Sequence, residues 1–168
     1  MSRYDATMTA IAPAAIVEIR GDAEAARRVL AAAGLAAPAR PNTAQESDAA
    51  AELWLGPRRW LVLCAGPRAE QLATALEGAA AGEPLAAAVD ASDMVVGIAL
   101  RGCDAAELLG QGTPLDFAAL ASDGASATDL FMVPAIVRRR GDGFDLWIDR
   151  SLGQYLDECL RVANGNEG

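Results

Sequence analysis

The sequence contains no histidine and no lysine. The first absence removes the commonest general base, the imidazole metal ligands and every Ser-His or Cys-His nucleophile pair. The second removes Schiff-base chemistry and the lysine of phosphate-binding loops. Cysteine is scarce. Cys64, Cys103 and Cys159 are odd in number and far apart, so they suggest neither a disulfide framework nor a zinc knuckle. Their apolar surroundings suggest buried, reduced thiols. Aromatics make up only 5% of residues, so Trp54, Trp60 and Trp147 are expected in the core. No apolar run is long enough to span a bilayer. The apolar stretch from Ala10 to Val17 contains Pro13 and ends at Glu18, and it does not read as a signal peptide. A cytoplasmic location is expected.

What is present is alanine, leucine and acid. Of 168 residues, 52% are hydrophobic, which is enough to bury a core, and the net charge is −9. That field repels nucleic acid and anionic lipid. All fourteen basic residues are arginine.

The pattern of breakers and apolar periods predicts an α+β chain. Residues 1–13 read as a flexible tail. Strands are expected at 14–20, 53–55, 60–64, 94–100, 130–137 and 144–148, and helices at 22–33, 67–77, 103–109 and 151–163. Asp22 is the expected N-cap of the first helix and Gly34 its C′ residue. Ser151 to Gln154 reads as a capping box. Residues 36–50 and 118–128 read as loops. Pro134 suggests an edge strand or a bulge.

The main organisational signal is an internal repeat. Ile19-Arg20-Gly21-Asp22 before one helix mirrors Leu100-Arg101-Gly102-Cys103 before another. Trp60 to Cys64 and the helix after it mirror Phe144 to Ile148 and the last helix. The expected division is a half-repeat at 14–78, a connection at 79–92, a second half-repeat at 93–163 and a tail at 164–168. Each half runs strand, helix, hairpin, helix, which is a ferredoxin-like order. The expected fold is two such halves related by pseudo-twofold symmetry.

Candidate chemistry is sparse. Gly102 and Gly110-Gln111-Gly112 fit no dinucleotide or Walker pattern and read as helix termination. The pairs Asp142/Asp145 and Asp157/Glu158 read as solvated charge. Arg138-Arg139-Arg140 reads as a hairpin arm with at least two side chains in solvent, and alternatively as a surface for an anion or an acidic partner. Thr113-Pro114-Leu115-Asp116 reads as a loop clasp or as a surface shown to a partner. Pro114, Asp116, Arg138, Arg139 and Arg140 are therefore the candidate interface residues. No catalytic, cofactor-binding or metal-ligating residue is singled out.

Residues 100–109, followed by Gly112-Thr113-Pro114-Leu115-Asp116, resemble a signature of the gamma subunit of heterotetrameric sarcosine oxidase. So does Phe144 to Ser151 running into a terminal amphipathic helix. Leu53-Trp54-Leu55-Gly56-Pro57, with Trp60-Leu61, is similar to that family's Leu-Gly-Pro-x-x-Trp-Leu. Thr113 stands where the family usually has cysteine, and Asp149 where it commonly has proline. The resemblance covers mainly residues 94–163. It implies a fold related to the folate-binding domain of the glycine-cleavage T-protein. It also implies a non-catalytic subunit of a complex that oxidatively demethylates sarcosine or a related N-methyl amine. FAD, FMN, NAD and tetrahydrofolate would then sit in larger alpha, beta and delta-type partners. A stand-alone folate-binding protein is the alternative. The subunit reading predicts an exposed apolar patch for a partner to cover.

Overall fold

The computed structural model describes residues 3–11 and 15–165. The chain divides into two compact units, one spanning 13–93 and the other combining 1–12 with 94–168.

The unit spanning 13–93 holds β2 (Ala15–Gly21), α1 (Ala23–Ala32), β3 (Thr43–Glu46), β4 (Ala50–Gly56), β5 (Arg59–Cys64), α2 (Ala69–Ala81) and β6 (Ala86–Asp90). Its antiparallel sheet runs β3-β4-β5-β2-β6. Without β3, this is the ferredoxin-like arrangement, in which the first and third strands lie at the centre. Helix α1 begins where expected: Asp22 accepts a hydrogen bond from the Glu24 N–H at 2.9 Å. It ends at Gly34 (φ +78°), where the Leu35 N–H reaches back to the Leu30 carbonyl at 2.9 Å. Val29, Leu30 and Leu76 from the helices pack on Val17, Ile19, Trp60 and Val62 from one sheet face. Trp54 and Trp60 stack with ring centroids 5.6 Å apart. Residues Trp60 to Cys64 are all buried, as their unbroken apolar run suggests.

The second unit holds β1 (Thr7–Ile11), β7 (Val95–Arg101), α3 (Ala105–Gly110), β8 (Ala125–Leu130), β9 (Val133–Arg140), β10 (Gly143–Asp149), a 3₁₀ turn at Arg150–Leu152 and α4 (Gly153–Ala163). Its antiparallel sheet runs β1-β7-β10-β9-β8. Leu100, Leu108, Leu109, Phe117, Val137, Phe144, Leu146, Leu156 and Leu160 fill one face.

The two sheets have matching strand orders, and that match defines the repeat. β6 in the first unit and β1 in the second occupy the same place, next to the strand that carries the Arg-Gly end. Each leading strand, β1 or β6, therefore pairs with the first long strand of the other repeat: β1 with β7, β6 with β2. Gly21 and Gly102 make this possible. Both take positive φ, +156° and +134°. A Cβ on Gly21 would overlap the Leu85 carbonyl, and one on Gly102 would overlap the Asp5 carbonyl.

Several expectations are corrected. Residues 7–11 are a paired strand rather than a flexible tail, because β7 offers a free edge. The expected connection at 79–92 contains the end of α2 and all of β6, and the expected loops at 36–50 and 118–128 contain β3 and the start of β8. The expected strand 130–137 is broken at Phe131 and Met132, which take φ +48° and +66° and turn β8 into β9. Pro134 lies on an interior strand, but beyond Ala135, where pairing with β10 ends. Helix α2 starts at Ala69, after Pro67, and runs through Gly78 to Ala81. Asp149, not Ser151, caps the turn into α4 by accepting from the Ser151 N–H at 2.8 Å. In the expected C-terminal tail, Asn164 is buried and accepts from the Tyr4 N–H at 2.9 Å; residues 166–168 lie outside the described ones.

Candidate functional site

Neither the Cys64 nor the Cys103 thiol is prepared for nucleophilic attack. Burial pushes the Cys64 thiol up to about 11, with Glu52 and Asp90 adding to the effect. Cys103 is exposed, contrary to expectation, and Cys159 is half-buried. The Cys103 thiol is raised by hydrogen bonds to Asp5 and Asp104. A thiol flanked by carboxylates is a poor thiolate source. Glu52 is a buried carboxylate in β4, opposite Val62 of β5. Among the described residues, no group of three His, Cys, Asp or Glu side chains could hold a metal.

A carboxylate–arginine cluster lies on the face of the second sheet opposite α3 and α4. Asp145 is 1% exposed. Arg101 donates to its Oδ1, and Arg140 Nη1 lies 3.5 Å from its Oδ2. Arg138 is buried and stands directly across from Asp145 in the β9–β10 register. Arg139 points to the other face, as strand alternation requires. There its Nη1 donates to the Leu120 carbonyl at 2.7 Å, and its guanidinium lies 6.0 Å from the centre of the Phe144 ring.

The triple arginine is therefore not an arm with two side chains in solvent. Only Arg140 is exposed; Arg138 is buried and Arg139 half-buried. Asp145, the partner in the cluster, is buried and not the solvated charge expected. Arg101 was legible only as part of the repeat.

The 113–116 segment is a clasp. The Asp116 carboxylate accepts from the Ala118 and Ala119 N–H groups at 3.0 and 3.2 Å. Thr113 and Thr128 hydroxyls meet at 3.0 Å. Pro114 and Asp116 are exposed. Nothing in the structure brings Pro114 and Asp116 into one constellation with all three arginines.

A groove of about 500 Å³ runs between β1, β7 and α4. Met8, Val96 and Ile98 form its apolar floor, and Arg150, Asp157 and Arg161 stand along the helix side. Arg161 Nε donates to Asp157 at 2.7 Å. Gly153 allows the close start of α4, since a Cβ there would lie 2.9 Å from Val96 Cγ2. Large apolar side chains are exposed elsewhere: Leu85 in the turn before β6, Val89 on β6, and Met132 at the β8–β9 turn, which is 91% exposed. Tyr155 fixes that turn by donating its hydroxyl to the Phe131 carbonyl at 3.2 Å.

No family model and no curated protein matches this chain. Solved structures do match. The chain is similar to a chain of the heterotetrameric sarcosine oxidase from Corynebacterium sp. U-96, in complex with pyrrole 2-carboxylate, with a TM-score of 0.83 at 23% identity, over 97% of this chain and 86% of that one. It is also similar to the glycine cleavage system aminomethyltransferase T from Bartonella henselae, with a TM-score of 0.73 at 18% identity. That match covers 95% of this chain and 46% of the aminomethyltransferase, so this chain spans less than half of it. The chain thus has the α+β fold of these folate-binding-domain-like proteins. Among the described residues, no helix is long and apolar enough to cross a membrane.

Proposed function

We propose that this chain is a non-catalytic, gamma-type subunit of a sarcosine oxidase-like flavoenzyme complex. The complex would oxidatively demethylate sarcosine or a related N-methyl amine in the cytoplasm. The observation that carries this reading is the likeness to a chain of a heterotetrameric sarcosine oxidase, which extends over nearly all of both chains. Two features of the residues support it. The chain has neither histidine nor lysine, and its carboxylate–arginine cluster is engaged within the fold. Exposed Leu85, Val89 and Met132 supply apolar surface for partners to cover. In this reading the larger alpha, beta and delta-type subunits hold FAD, FMN, NAD and tetrahydrofolate, and this chain holds none. Pro114, Asp116 and Arg140 remain candidate contact residues because they are exposed.

The likeness to the aminomethyltransferase favours one alternative, a stand-alone folate-binding protein. Deleting the chain from its host separates the two. The subunit reading expects extracts to lose oxidation of N-methyl amines and to regain it when the chain is supplied. Unchanged oxidation, together with folate binding by the purified chain, would favour the alternative.

A further inference from the structure

We propose that the face of β6 and β2 turned away from the helices docks a segment of a partner protein that carries apolar and acidic side chains. That this partner is a larger subunit of a flavoenzyme rests on the subunit reading above; the surface and its charge preference do not.

Strand alternation sets the surface. Ala86 and Ala88 pack against the helix-side core, so Ala87 and Val89 turn to the opposite face. Both are exposed there. Leu85, in the turn that leads into β6, is exposed beside them. The three residues lay about 13 Å of apolar surface along an outer strand. The register sets Arg20 of β2 directly across from Ala87, and Glu18 across from Val89. Side chains paired in this way share one surface.

That surface is cationic within a chain of net charge −9. Arg20 and Arg59, paired across β2 and β5, both bind the single carboxylate of Glu18. Two guanidiniums on one carboxylate leave a positive charge over. The Arg20 side chain is 61% exposed, so it reaches a ligand while it still shares Glu18. Arg58 stands beside them at the β4–β5 turn, where its carbonyl accepts from the Gly21 N–H at 3.2 Å. It is exposed and makes no ion pair among the described residues. The neighbouring carboxylates are turned elsewhere. Asp90 follows Ala88 on the helix face and binds the Ser92 N–H at 2.8 Å, and Asp22 caps α1.

The docking element is this face and not the free edge of β6. Glu77 accepts from the outward Asp90 N–H at 3.1 Å, which blunts that edge against an added strand. Binding then comes from apolar contact with Leu85 and Val89 and from carboxylates on the arginines. Nucleic acid and anionic membranes are repelled by the net charge of the chain. A second copy docking through the same patch would set arginine against arginine.

The test is an NMR titration of the full chain, at low salt, with the peptide Ac-Leu-Glu-Val-Glu-Leu-NH2, its lysine counterpart and glutarate. The acidic peptide should shift the amides of residues 18–21, 58–59 and 85–90, and should bind at least about ten-fold more tightly than the lysine peptide. The net charge of the chain alone would favour the lysine peptide, so this order reads the local patch. Arg20→Glu with Arg58→Glu should reverse the order, and Val89→Thr should weaken binding about three-fold. Arg68→Glu, at the start of α2, should leave the order unchanged. No shift with the acidic peptide, equal or tighter binding of the lysine peptide, or the same shifts with glutarate alone would overturn the proposal. In the isolated flavoenzyme complex, Arg20 and Arg58 should resist the hydroxyphenylglyoxal that modifies them in the free chain. If the complex assembles with both arginines still reactive, the docking proposal falls and the subunit reading stands. If the chain purifies alone, the subunit reading falls, and the titration decides the surface.

Discussion

Gly102 lies against the backbone of Asp5 so closely that a Cβ would sit 2.8 Å from the Asp5 carbonyl carbon and 3.0 Å from Ala6 Cα. The same relation recurs between Gly21 and Ala86 in the other repeat, where a Cβ would lie 2.6 Å from Ala86 Cα. Gly102→Ala and Gly21→Ala should each destabilise the fold by about 2–3 kcal/mol, through backbone overlap and positive φ together. Gly110 meets nothing within 4 Å and has no positive φ, so Gly110→Ala should change stability by less than about 1 kcal/mol. Urea midpoints of the three variants check the contrast.

Asp145 is the buried anion of the second sheet, between Arg101 and Arg140. Asp145→Ala leaves guanidinium groups without their carboxylate and should destabilise by about 3 kcal/mol. Arg140→Ala removes a mostly exposed partner and should cost less than about 1 kcal/mol. A calorimetric comparison of the two variants would reveal the asymmetry. Equal losses would mean that the cluster is not organised around Asp145.

Cys64 links stability to alkaline pH. Its thiol titrates at about 11 in the folded chain, against an ordinary value of 9.0. The raised value means that the neutral thiol is favoured by folding. That contribution is fully present below about pH 9 and is lost as pH rises through about 11. Denaturation of the native chain and of Cys64→Val across this window should differ in slope, the native chain falling more steeply. At neutral pH a disulfide reagent should label Cys103 before Cys64, because Cys64 is buried.

The central strands were legible because they are buried and apolar on their own account. Trp60 to Cys64 and Phe144 to Ile148 carry large side chains that only an interior sheet position can bury. The strands missed at 7–11, 43–46, 86–90 and 125–130 are the outer strands of the two sheets. Each has partners on one side only, so its sequence is short, small or polar, and its strand form is imposed by a neighbour. The repeat was readable through Arg20-Gly21 and Arg101-Gly102, since a glycine is required at that close approach. The exchange of leading strands was not, because it depends on pairings far apart in sequence. The arginine cluster was misread for the same reason. That Arg138 is buried and that Arg140 reaches Asp145 are decided by the β9–β10 register and by which face of the sheet is covered.

The most direct test of the account is affinity purification of the chain from its host, followed by an absorbance spectrum and mass spectrometry of whatever co-purifies. The account predicts a yellow, flavin-bearing complex with larger subunits that oxidises an N-methyl amine. A colourless chain that purifies alone would contradict it.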